Sequence, residues 1–189
     1  MAHEWKSLIL SHGWVMNILA TVRDAEIREA WVGAGLWRDL VWGTWYGSGF
    51  DHTAVRDVDV VFFDPCDLSR ANDVRVTELL REREPDVPWE ATNQAAVHTW
   101  YAEYFDETPP EPLTSIADAV RTWPETATSV AFRLSLDEDV EVCAPWGLDD
   151  LLNGVWRWNP TSVSRDRSLA RLARYRPAER WPGTTIIRP

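Results

Sequence analysis

The sequence predicts an α+β, α/β-like chain with helices packed against a mixed β-sheet. Three observations predict it. Short β-prone runs alternate with stretches of helical periodicity. Residues 130–136 and 140–144 look like a hairpin, so the sheet is not purely parallel. Apolar residues make up 45% of the 189 positions, enough for one sizeable core.

Residues 5–24 read as one helix, with Leu8, Ile9, Trp14, Val15, Ile18, Leu19 and Val22 at roughly helical intervals. Residues 30–33 are a short apolar strand that runs into Gly33-Ala34-Gly35. A helix over 36–45 follows, stopped by Tyr46-Gly47-Ser48-Gly49. Residues 58–63 form a strongly β-prone run entered through Arg56-Asp57 and ended by Asp64-Pro65. The next helix, 69–83, is expected to turn Val74, Leu79 and Leu80 inward. Pro85 and Pro88 bound a loop, 89–92 is a short strand, and a turn or short helix holds Asn93, Gln94 and His98. Residues 106–113 are acidic and proline-rich, the composition of an exposed loop. Thr114 or Ser115 can cap a short helix running to residue 123. The hairpin turns at Asp137-Glu138-Asp139, and another helix begins over 148–152.

Charge divides the chain into an expected domain over 1–155 and a basic C-terminal extension, 156–189, packed on it. Residues 1–150 hold 11 Lys/Arg against 28 Asp/Glu, whereas 151–189 hold 8 Arg against 2 acids. The acidic body makes long nucleic acid a poor partner. The basic tail either forms a phosphate-binding edge or neutralises the body by folding against it. No apolar run reaches the ~18 residues that a membrane span needs, and the N-terminus has no signal-like segment. Two cysteines, Cys66 and Cys143, make no disulfide framework, so a cytoplasmic, reducing location is expected. The histidines are in no zinc-binding spacing, and any metal should be a hard cation on oxygen ligands. The thirteen tryptophans are expected mostly in or at the edge of the core.

The run V-R-D-V-D-V-V-F-F-D (55–64) is the most informative stretch. Period two puts Asp57 and Asp59 on one face and Val58 and Val60 on the other. Two carboxylates so placed repel unless a cation or proton lies between them, and Mg²⁺ (or Mn²⁺) binds such a pair together with substrate phosphates. The bland alternative is an edge strand wetting its polar face. Upstream, Gly33, Ala34 and Gly35 let backbone N–H groups approach an anion at a helix N-terminus. Arg38 sits in that helix's first turn, against the helix dipole, where it serves a phosphate or carboxylate or simply pairs with Asp39. A third carboxylate completes a two-metal site. Glu141, inside the apolar strand V-E-V-C, is preferred, and Glu90 is the rival.

The stretches W-V-G-A-G-L-W-R-D-L-V-W (31–42), D-V-D-V-V-F-F-D (57–64), N-Q-A-A-V-H (93–98), W-P-E-T-A-T (123–128) and A-P-W-G-L-D-D-L (144–151) resemble an uncharacterised bacterial nucleotidyltransferase-like family of the polymerase-β-type superfamily. The resemblance covers about residues 5–155. It implies a nucleotidyltransferase fold, a glycine loop holding a nucleoside triphosphate, and Asp57 and Asp59 holding magnesium. Glu141 matches the family's third acid, and Gln94 and His98 carry over as nucleotide-site residues. The chain departs from the pattern at Thr92 and Ala96, where the family carries Lys and Arg. The implied reaction is Mg-dependent transfer of a nucleoside monophosphate from an NTP to an acceptor that no motif names. The alternatives are a catalytically silent nucleotide- or partner-binding protein on the same fold and, with no support from the resemblance, a hydrolase.

Overall fold

The first helical stretch is divided in two at His12. The computed structural model describes residues 4–105 and 108–189, so part of the expected 106–113 loop lies outside the described residues. Helix α1 (Glu4–Ser11) and helix α2 (Gly13–Asp24) are separated by an extended His12. The apolar phase explains the break. Ile9 and Val15 are six residues apart, which in one continuous helix would put them on different faces. With the chain bent at His12 both are buried.

Strand β1 (Trp31–Gly33) leads through Ala34 into α3 (Gly35–Tyr46). Strand β2 (Val58–Phe62), helix α4 (Arg70–Arg83) and strand β3 (Trp89–Asn93) form a crossover unit whose strands pair in parallel. On α4 the buried stripe runs Asn72, Asp73, Val76, Leu80, and Val74 is 60% exposed rather than inward. Val74 lies two residues from Val76 and therefore on the far side of the helix. A short 3₁₀ turn over 94–96 leads into α5 (Val97–Phe105), and Ser115 caps α6 (Ile116–Arg121) through the Asp118 N–H. Strands β4 (Ala131–Leu134) and β5 (Val140–Cys143) are the expected antiparallel hairpin. Its glycine-free turn places Glu138 at φ 61°.

The described residues form a five-stranded mixed sheet in the order β3-β2-β1-β4-β5. One face, carrying Val32, Val58, Val60, Phe132 and Val140, packs into the main core with α2 and α3. The opposite face carries Asp59, Val61 and Ala131, and a smaller cluster with Ile116 and Val120 covers part of it.

After α7 (Asp149–Leu152) come β6 (Val155–Arg157), α8 (Arg165–Tyr175), α9 (Pro177–Arg180) and β7 (Thr185–Ile187). Strands β6 and β7 pair in parallel. Trp156 and Trp181 belong to the same core as α3, and Trp42 packs edge-on to Trp181 with centroids 5.3 Å apart. A bidentate ion pair joins Arg171 of α8 to Glu125, at 2.7 and 2.9 Å. Glu125 is fully buried, so this pair ties the basic segment to the sheet domain.

Gly33 has a packing role. A Cβ there would lie 2.7 Å from the Trp123 ring, inside van der Waals contact. Gly33→Ala is expected to lower stability by about 1–3 kcal/mol, read as a fall in melting temperature. An unchanged melt would show that Trp123 moves aside freely.

Candidate active site

A cleft of about 940 Å³ opens where the C-terminal segment faces the free side of the sheet. Its floor is acidic. Asp57 precedes β2, Asp59 lies within it, and Glu90 is the register partner of Asp59 on the parallel neighbour β3. Paired residues on adjacent strands project to the same face, so Glu90 and Asp59 stand side by side and Asp57 lies two residues along. All three line the cleft. Burial pushes the Asp59 carboxyl up to about 7, and the negative charges of Asp57 and Glu90 push it the same way; Arg38 and Arg171 oppose this only in part. The strand turns its hydrophobic side to the core, which forces the alternate carboxylates together on the other face.

Glu141 does not join them. It lies on β5, at the far edge of the sheet, with β4 and β1 between it and β2. Three strand spacings of ~4.8 Å amount to about 14 Å. Its carboxylate accepts a 2.6 Å hydrogen bond from Arg133 Nε on the paired strand. The strand period correctly puts Glu141 on the polar face, but the order of strands, which period does not encode, removes it from the site. Glu90 is the third acid of the cleft.

The glycine turn divides in the same way. Ala34 and Gly35 line the cleft and Gly33 does not. Ala34 adopts φ 49°, uncommon for a residue with a Cβ, and its N–H is taken by Val130 O at 3.0 Å. That turn aims the first turn of α3 at the carboxylates, and the N–H groups of Gly35 and Leu36 have no partner within the helix. Arg38 lines the cleft but is committed. It pairs with Asp39 at 2.7 Å, and its guanidinium lies 4.9 Å from the Tyr175 ring centre. Gln94 and His98 are not among the lining residues. Gln94 is buried and donates to Thr92 O. His98 follows it onto α5, two residues before Trp100, which does reach the cleft, as does Tyr104; two residues along a helix point to nearly opposite sides.

The upper wall was not singled out residue by residue from the sequence. It comes from the basic segment, where Arg167, Arg171 and Arg174 of α8 line the cleft opposite the acidic floor, with Arg56 and Arg70 on other elements. Several of these charges are balanced. Arg171 is held by Glu125, Arg70 by Asp73, Arg180 by Asp39 and Arg176 by Glu179. Among the described residues, Arg56 and Arg174 face no carboxylate within ion-pair distance. A signal was present in the sequence: 167, 171 and 174 fall at i, i+4, i+7, one face of a helix.

Among the described residues, no three His, Cys, Asp or Glu side chains are gathered closely enough to form a ready metal cage. The floor is an open row of oxygen donors. Its chemistry nevertheless fits a hard divalent cation, because Asp57, Asp59 and Glu90 bring oxygen donors of like charge to one face of the sheet. Among the described residues, no helix is long and apolar enough to cross a membrane.

A family model described as nucleotidyltransferase matches residues 20–186, running from α2 through the basic segment. No curated protein matches the chain. Among solved structures, one determined by NMR and described as revealing a CCA-adding enzyme head domain is 30% identical, with a TM-score of 0.80 over 99% of this chain and 96% of that one. A CCA-adding enzyme in complex with CTP shares the fold at 13% identity and TM-score 0.57, over 96% of this chain and 42% of its own. A tRNA-processing enzyme in an apo form does so at 18% identity and TM-score 0.54, over 92% and 42%. The chain thus spans about two fifths of these two larger proteins.

Proposed function

We propose, on the premise that this chain belongs to the nucleotidyltransferase family whose model spans residues 20–186, that it transfers a nucleoside monophosphate from an NTP to an acceptor, with Mg²⁺ or Mn²⁺ held by Asp57, Asp59 and Glu90. The observation that carries this reading is the alignment of those three carboxylates across β2 and β3, on the cleft that also receives the first turn of α3.

In the reaction an acceptor oxygen bonds to the α-phosphorus as the α–β phosphoanhydride bond breaks, and pyrophosphate leaves. The acceptor's proton passes to solvent or to a floor carboxylate. Bound divalent cation would supply charge neutralisation for the attacking and leaving oxygens. The chain's own groups do the rest. Asp57, Asp59 and Glu90 supply hard oxygen donors. The N–H groups of Gly35 and Leu36, at the positive end of the α3 dipole, favour phosphate oxygens. The walls formed by α8 and α5 restrict water.

Thr92 and Ala96, standing where the resembled family carries Lys and Arg, favour a second reading, a nucleotide-binding protein without turnover. The test is titration calorimetry of the full chain with each NTP, with and without Mg²⁺ or Mn²⁺, followed by a pyrophosphate-release assay over pooled acceptors. Cation-dependent NTP binding with pyrophosphate release is expected. Cation-dependent binding without release in any pool would favour the silent reading, and binding indifferent to the cation would sink both.

A further inference from the structure

We infer that Arg174, with Arg167 beside it on α8, forms the polyphosphate-binding wall of the cleft, taking the β- and γ-phosphates of a nucleoside triphosphate. The inference rests on the nucleotide reading above and adds which cations serve it, since Arg38, the cation singled out from the sequence, is already paired with Asp39 and stacked on Tyr175.

Helix geometry sets the wall. Residues 167, 171 and 174 fall within a narrow stripe of α8 that spans about 10 Å along its axis, and all three line the cleft. The opposite side of the helix turns Leu172 to the core, so packing fixes which way the stripe faces. Arg171, in the middle, is anchored on fully buried Glu125 at 2.7 Å and holds the helix in register over the floor. Arg174 is exposed and, among the described residues, has no carboxylate within ion-pair distance. Arg167 donates to the Tyr101 hydroxyl at 3.2 Å, which orients its guanidinium.

Charge selects the ligand class. Arginine donors facing an acidic floor fit a ligand that is strongly anionic on one side and can share a cation with carboxylates on the other, as a polyphosphate chain does. An extended nucleic-acid backbone fits less well, because the chain outside the basic segment carries 28 acids against 11 basic residues over 1–150 and would repel its continuing phosphates.

The test measures binding of inorganic tripolyphosphate, an NTP and the matching nucleoside monophosphate, each with Mg²⁺, to the full chain and to Arg174→Glu, Arg174→Ala and Arg165→Glu. Arg165 is on the same helix but outside the cleft lining, so its reversal makes the same change in net charge. Arg174→Glu is expected to weaken tripolyphosphate and NTP by about tenfold or more, Arg174→Ala by less, and both to change monophosphate affinity less than about twofold. Arg165→Glu should change none of the three. Melting curves verify that each variant is folded. Equal losses at Arg165 and Arg174 would reduce the effect to bulk charge and overturn the assignment, as would unchanged affinities in Arg174→Glu or a wild-type chain that does not bind tripolyphosphate. If instead RNA binding falls while NTP and tripolyphosphate binding do not, the wall serves an acceptor and the assignment is again overturned. Failure of the nucleotide reading is seen separately, in wild-type protein that binds no NTP in a cation-dependent way.

Discussion

Asp59→Asn is expected to raise the melting temperature of the cation-free protein at pH 8 by about 5–10 °C while reducing nucleotide transfer by orders of magnitude. Asp59 holds its proton up to about pH 7, because it is buried and because Asp57 and Glu90 stand beside it. An ordinary aspartate releases its proton near 3.8. Between those values the folded chain binds more proton than the unfolded chain, so stability falls as pH rises through the window and stays low above it. At pH 8 the ionised, partly buried carboxylate costs on the order of 2–4 kcal/mol, which for a domain of this size corresponds to the stated shift. Asparagine keeps the shape without the charge. Its advantage should shrink as pH falls from 8 to 5, and should shrink again when millimolar Mg²⁺ or Mn²⁺ is added to the wild type, since a cation that binds only the folded state stabilises it. A variant less stable than wild type at pH 8 without cation would show that the carboxylate is structurally needed. A pH-independent gain would show that its charge is not the cause. The same shift predicts that cation-dependent NTP binding by wild-type protein weakens below pH 7, as proton and metal compete for one oxygen set.

How much of this was legible in the sequence follows from what each pattern encodes. The period of two in V-R-D-V-D-V-V-F-F-D puts Asp57 and Asp59 on one face, and the structure has them there. The same period describes β5 equally well, with Val140 buried and Glu141 turned the other way. Period says which face a residue takes and nothing about which strand lies next to which. That depends on long-range pairing, here the parallel β2–β3 crossover through α4, so the better-formed strand pattern around Glu141 favours it over Glu90 without saying which of them lies next to Asp59. Gly33 failed for a related reason. A glycine signals close approach, but what approaches is the ring of Trp123, ninety residues later, and no local pattern records it. The α8 stripe is different. Its spacing, i, i+4, i+7, is local and therefore legible, but which way that helix face turns depends on the docking of the segment onto the sheet domain.

Glu90→Gln is expected to cost most of the activity, and Glu141→Gln almost none. The two glutamates share a sheet face, so the comparison isolates position from chemistry. Glu90 is the register partner of Asp59 and among the charges that raise its pKa, so Asp59 and Glu90 would hold a cation together. Glutamine keeps the size and one acceptor oxygen and loses the charge. Metal affinity and transfer should fall by orders of magnitude with the fold intact, and the pKa of Asp59, followed by NMR, should move down because one like charge has gone. Glu141 is half-exposed and paired with Arg133, a contact worth at most about 1 kcal/mol. Its replacement should leave cation-dependent NTP binding within about twofold, a change of a few tenths of a kcal/mol, and Asp59 unmoved. The Asp59 titration is the stronger readout, because it needs no acceptor and reports distance directly. If Glu141→Gln shifts that titration as far as Glu90→Gln does, the two strands are not arranged as β3-β2-β1-β4-β5, and the assignment of Glu90 falls with the strand order.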